Sequence, residues 1–81
     1  MAGRMCFNLS NGTDVDTIKR TGAYYIGSGT NLPSNFFYFI VLDSDNTEDI
    51  VQFGFSLTKN TFCVRYYLNG SWRKWMELTL G

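Results

Sequence analysis

Eighty-one residues carry seven basic and seven acidic side chains and no histidine. A chain this short makes one domain that buries only roughly 60–65% of its unfolded surface, so it needs support from cross-links, metals or self-association. The cancelled charge excludes non-specific nucleic-acid binding and attraction to a membrane surface, both of which need a positive excess.

Residues 1–12 read as an extended N-terminal segment or linker, and 13–81 as a single β domain. Residues 1–10 lack the apolar stretch of a signal peptide, and no apolar run reaches membrane-spanning length. Between Thr13 and Arg20, Asp14 or Asp16 can cap one helical turn that carries Val15 and Ile18 inward, with Gly22 as its stop. No other stretch holds a 3.6-residue apolar period for three turns, whereas β-branched and aromatic residues abound.

Ala23 to Ile26 is a short strand, and 27–35 is a loop by composition. Phe36 to Leu42 has no polar alternate, which predicts a central strand covered on both faces. An acidic loop follows from Asp43 to Asp49. It resembles a calcium loop but lacks the glycine at the sixth position and the glutamate at the twelfth, so it reads as a solvated turn. Ile50 to Thr58, Thr61 to Leu68 and Ser71 to Leu80 complete the chain as strands. The fold expected is mainly β: a small antiparallel meander of about five strands with at most one short N-terminal helical turn.

Two turns set the registers. A two-residue turn at Lys59-Asn60 would place Leu57 opposite Phe62, Phe55 opposite Val64, Phe53 opposite Tyr66 and Val51 opposite Leu68. All eight then share one face, which is taken as the core. At Asn69-Gly70 a three-residue loop extends that face with Trp72, Lys74, Met76 and Leu78, whereas a two-residue loop extends it with Ser71, Arg73, Trp75 and Glu77. The first buries more apolar surface and is the expected register. The solvent face would then carry Arg65 opposite Arg73 and Cys63 opposite Trp75. Opposed like charges on neighbouring strands destabilise a sheet, so that face calls for an outside anion: a carboxylate of another subunit, a small carboxylate or a phosphate.

Catalytic signatures are missing: there is no histidine base, no nucleophile-elbow motif, no phosphate loop and no cleft of paired carboxylates. No enzymatic activity and no cofactor are expected. Cys6 and Cys63 are too few for a disulfide scaffold and lack metal-ligand spacing, so both read as reduced, buried thiols. Among the support mechanisms this leaves self-association. The candidate ligand contacts are Arg65, Tyr67, Arg73 and Trp75, because Tyr, Trp and Arg dominate binding surfaces. Aromatics beside planar hydrogen-bonding groups suit a carbohydrate.

The order of motifs carries a resemblance. Asp14-Val-Asp-Thr-Ile18, Thr21-Gly-Ala-Tyr-Tyr-Ile26, Thr30-Asn-Leu-Pro-Ser34, Val51-Gln-Phe, Val64-Arg-Tyr-Tyr and Asn69-Gly-Ser-Trp-Arg-Lys-Trp75 follow one another over about Thr13 to Leu80. This pattern resembles the pyocin knob domain, a β-rich module of phage and phage-like tail fibres. Asp16, Ile18, Gly22, Tyr24, Pro33, Arg65, Trp72 and Trp75 match it best, mostly as framework. The resemblance implies a homotrimeric virion component on a tail fibre, baseplate or capsid surface, in contact with other virion proteins. It implies either attachment to bacterial surface polysaccharide or a purely structural role as a trimerisation and docking module.

Overall fold

The computed structural model describes residues 6–44 and 49–79. Its strands are β1 (Phe7–Leu9), β2 (Thr13–Asp14), β3 (Gly22–Ile26), β4 (Gly29–Thr30), β5 (Phe37–Asp43), β6 (Asp49–Ser56), β7 (Thr61–Leu68), β8 (Ser71–Trp72) and β9 (Met76–Thr79). One 3-10 turn, Val15–Thr17, is the only helical element among the described residues. The main sheet runs β1-β3-β5-β6-β7-β8, with β9 also paired to β7. From β3 onward every pairing in it is antiparallel, whereas β1 joins β3 in parallel, so Phe7–Leu9 belongs to the sheet edge. A second, two-stranded parallel ladder joins β2 to β4. The chain is mainly β, as the sequence predicts, with the mixed edge added. The acidic loop lies partly outside the described residues.

The single helical turn forms where expected. Asp14 caps it by accepting the Asp16 backbone N–H at 2.9 Å, which satisfies a donor that the turn itself cannot. Val15 is fully buried, and Ile18 packs against the core.

The largest departure concerns which face of the sheet is covered. The β5 strand, expected to be covered on both sides, alternates: Phe37, Phe39 and Val41 are buried, while Tyr38, Ile40 and Leu42 are exposed. On β6 and β7 the expected core face is the open one. Its strand residues Val51, Phe53, Phe62, Val64 and Tyr66 are exposed, while Gln52, Ser56, Thr61, Cys63 and Arg65 are buried. The physical reason is the size of the chain. Its N-terminal part supplies one covering layer, through Val15, Ile18 and Leu32, and that layer lies over the face bearing Ile26, Phe37 and Ile50. Only one side of a single sheet can be covered that way.

Both turns also differ from expectation. The β6–β7 connection is a four-residue loop, Leu57 to Asn60, in which the Asn60 N–H donates to the Ser56 carbonyl at 2.8 Å and Asn60 sits at φ 55°. Asparagine tolerates that left-handed conformation. Pairing therefore shifts by two residues, with Phe55 opposite Phe62, Phe53 opposite Val64 and Val51 opposite Tyr66. An even shift preserves the face of every side chain, so the grouping stands although the partners change.

The β7–β8 loop is two residues, not three: Leu68 pairs with Ser71 and Tyr67 with Trp72. Asn69 and Gly70 both take positive φ, 54° and 87°, as a type I′ turn requires. The three-residue register put Trp72 on the apolar face, but its advantage is recovered by another route. The Arg73 N–H donates to the Tyr66 carbonyl at 2.9 Å, and β9 then resumes with Met76 opposite Val64. One extra residue is thereby inserted opposite Arg65, which makes a β-bulge at Lys74 and Trp75. The bulge lets Trp72 and Trp75 pack against the core while Met76 and Leu78 stay on the open face. Arg65 does not face Arg73, and Cys63 lies opposite Glu77 rather than Trp75. The predicted like-charge pair is absent, and with it the argument for an outside anion at that point.

Candidate functional site

The bulge and the capped turn meet over Arg65. This side chain was expected on the solvent face; it is 4% exposed. Its guanidinium carbon lies 3.9 Å from the centre of the Trp72 ring and 4.7 Å from that of Trp75. A delocalised, weakly hydrated cation suits such stacking better than an ammonium does. The Nε–H donates to Gln52 Oε1 at 2.9 Å, and Nη1 lies 2.8 Å from Asp16 Oδ1. That contact to Asp16 lies off the direction of a good hydrogen bond, so its attraction is mainly electrostatic. Burial pushes the Arg65 pKa down, while the Asp16 carboxylate acts in the opposite direction. The second terminal nitrogen, Nη2, is buried with no acceptor among the described residues. A donor left in that state costs about 1–3 kcal/mol.

Gln52 links Arg65 to the N-terminal layer. Its Nε2 donates to the carbonyls of Val15 and Ile18, both at 2.9 Å. Trp72 Nε1 donates to the Asp16 carbonyl at 3.2 Å, and Trp75 Nε1 to the Asn31 carbonyl at 2.8 Å. Trp75 also meets Phe37 edge to face, with ring centres 5.3 Å apart. Asn31 sits at φ 63°, and its side-chain amide donates to Asp14 Oδ1 and Asp16 Oδ2. The Asn31 amide and then the Asp16 backbone N–H hold the Asp14 carboxyl below its ordinary pKa. Hydrogen bonds to the charged form act in this direction.

Between this network and solvent lies a groove of about 420 Å³. Asp16, Asn31 and Leu32 form its loop side, Arg73, Lys74 and Trp75 its bulge side, and Arg65 with Trp72 its base. The four residues singled out from the sequence are thus divided. Trp75 lines the groove directly, whereas Arg73 only borders it, with its guanidinium 5.7 Å from the centre of the Tyr66 ring on the open face. Arg65 lies beneath it, already paired within the chain. Tyr67 stands apart, half-buried, edge-on to Trp72 and beneath the Lys19 ammonium, which lies 4.4 Å from its ring centre.

Sequence reasoning missed Asn31, Gln52 and Lys74 as parts of this site. Gln52 carried a usable signal, as a lone amide within an apolar strand. Asn31 carried none beyond its place in a polar loop, because its contacts span 15 and 17 residues.

The open face of the sheet is the second feature. Its side chains form three rows across the strands. Tyr38, Phe55, Phe62 and Leu78 make one row, Ile40, Phe53, Val64 and Met76 a second, and Leu42, Val51 and Tyr66 a third. All but Phe55 are more than a third exposed, and Leu78 reaches 64%. The largest apolar patch on an ordinary monomer is about 300–600 Å². With aromatic side chains contributing up to roughly 150–250 Å² each, these rows leave on the order of 800 Å² open. That matches one partner's share of a standard protein interface, about 800 Å².

Among the described residues no group of three or more Cys, Asp or Glu side chains converges as a metal site. No helix among them is long and apolar enough to cross a membrane. Comparison with protein-family models, curated proteins and solved structures finds no match to this chain.

Proposed function

We propose that this domain is a non-enzymatic assembly module, a knob that works as a homotrimer joined through the apolar rows of its sheet. The single observation that carries this reading is the open face of β5, β6, β7 and β9, apolar in three adjacent rows. Exposed apolar surface of this extent marks an interaction surface, and a small core gains most from burying it against copies of itself. The motif order from Thr13 to Leu80 adds the fibre-knob reading: a component of a phage tail fibre, baseplate or capsid surface taking part in attachment to a host-surface glycan.

The purely structural version of this role shares the same interface and needs no ligand. It predicted that Arg65 and Arg73 would be paired with carboxylates of a neighbour. Arg65 is paired instead with Asp16 of its own chain, which removes the electrostatic argument for docking and leaves the apolar one. Light scattering on the purified chain at micromolar concentration tests the proposal. A particle of three times the 9.3 kDa chain mass is expected. A stable monomer overturns self-association, and a dimer overturns the trimer.

A further inference from the structure

We propose that the groove over Arg65 binds an acidic carbohydrate. This inference rests on the covered side of the sheet, and so stands independently of self-association through the open side. The groove volume of about 420 Å³ falls among ligand sites, which span about 300–1,000 Å³.

Charge identifies the first part of the ligand. Asp16 is matched by Arg65 at 2.8 Å. Lys74 borders the groove with no ion pair to a carboxylate among the described residues, whereas the Arg73 guanidinium lies 5.7 Å from the centre of the Tyr66 ring, on the open face. The lining therefore offers one free cation, at Lys74, which suits an anionic substituent. Independently, Nη2 of Arg65, on a side chain 4% exposed at the base of the groove, has no acceptor. A buried donor of this kind calls for an oxygen from outside the chain, water or ligand.

The remaining lining identifies the rest of the ligand. Indole surface from Trp72 and Trp75 lies beside the Asp16 carboxylate and the Asn31 amide. Flat apolar surface next to planar hydrogen-bonding groups matches a sugar ring, which presents C–H faces and hydroxyl edges. Both indole N–H groups are already committed to the carbonyls of Asp16 and Asn31, so the rings are held before a ligand arrives. Such pre-organisation lowers the ordering cost of binding. The balanced charge of the chain disfavours a polynucleotide as the anion.

The test is a titration of the isotope-labelled full chain followed by NMR, with four probes: a uronate-bearing hexasaccharide, a sulfated hexasaccharide, neutral maltohexaose and sodium sulfate. A thymidine oligonucleotide is the comparison ligand. At least one acidic hexasaccharide should shift the indole N–H of Trp75 and the amides of Asn31 and Lys74 saturably. Maltohexaose should bind at least about tenfold more weakly, a difference that corresponds to roughly 1.4 kcal/mol. Lys74→Glu, at an exposed position, should weaken the acidic hexasaccharide by a similar factor while the thermal midpoint stays unchanged. Equal shifts from sulfate alone overturn the sugar and leave a simple anion site. Tighter binding of the oligonucleotide overturns it in favour of nucleic acid. The absence of saturable shifts with either acidic hexasaccharide overturns the site.

Discussion

Arg65 and Gln52 face each other across β6 and β7 and are joined by a 2.9 Å hydrogen bond from Nε to Oε1, both side chains being buried. A polar pair stands where an apolar pair would be the ordinary choice. It is tolerated because each further group on Gln52 is used: Nε2 reaches two carbonyls of the capped turn. Interiors accept polar side chains when their hydrogen bonds are made.

Gln52→Leu removes one acceptor and two donors from this network and leaves the Ile18 carbonyl and the Nε of Arg65 unmatched, while the Val15 carbonyl keeps only the Ile18 N–H. The expected loss of stability is about 3 kcal/mol, read as the shift in urea unfolding at fixed chain concentration. An unchanged midpoint would show that the network contributes nothing net.

Gly54 pairs with Phe39 across β5 and β6. An added Cβ would stand 1.9 Å from the Tyr38 carbonyl oxygen and 2.6 Å from the Phe39 Cα, and backbone atoms cannot move aside as a flexible side chain does. Gly54→Ala should therefore cost more than the roughly 1–3 kcal/mol of ordinary overpacking, visible as a lowered thermal midpoint or failure to fold. Wild-type stability in this variant would disprove the overlap with the β5 backbone.

Val64 sits centrally on the open face, between Phe53 and Met76. Val64→Lys should reduce the mass in light scattering to that of a single chain. Its effect on the fold of that chain should be small, because Val64 is 36% exposed there. Near-ultraviolet circular dichroism checks the second point. A variant that keeps its assembled mass would move the interface elsewhere.

Acid should weaken the cap. The Asp14 pKa is lowered in the folded state, first by the Asn31 amide and then by the Asp16 backbone N–H. Its contribution is therefore present above the unfolded value of about 3.9 and is lost as pH falls through the lower folded value. Asp14→Asn should be less stable than the parent at pH 7, and the gap between them should narrow below about pH 4. Urea midpoints measured at pH 7 and pH 3 check this. A gap that widens in acid would reverse the assignment.

Much of the strand pattern was legible because alternation and turn residues are local. Asn69-Gly70 announced its hairpin, and the Asp14-Asp16 pair announced a cap, which Asp14 makes. The register at Asn69-Gly70 was misread because the bulge at Lys74 and Trp75 forms only where two indoles can be packed over Arg65. That condition depends on Asp16 and Asn31, 56 and 44 residues from their indole partners.

By itself, the sequence determined that the chain is mainly β and which side chains of β6 and β7 share a face, since the two-residue period survives the even shift of register between them. Only the tertiary structure decided which of those faces is the inside. Alternation defines two faces but does not say which one another layer will cover. That choice fell to the side where Gln52 could reach the carbonyls of Val15 and Ile18 and Arg65 could reach Asp16. With one covering layer and one sheet, the more apolar rows were left open.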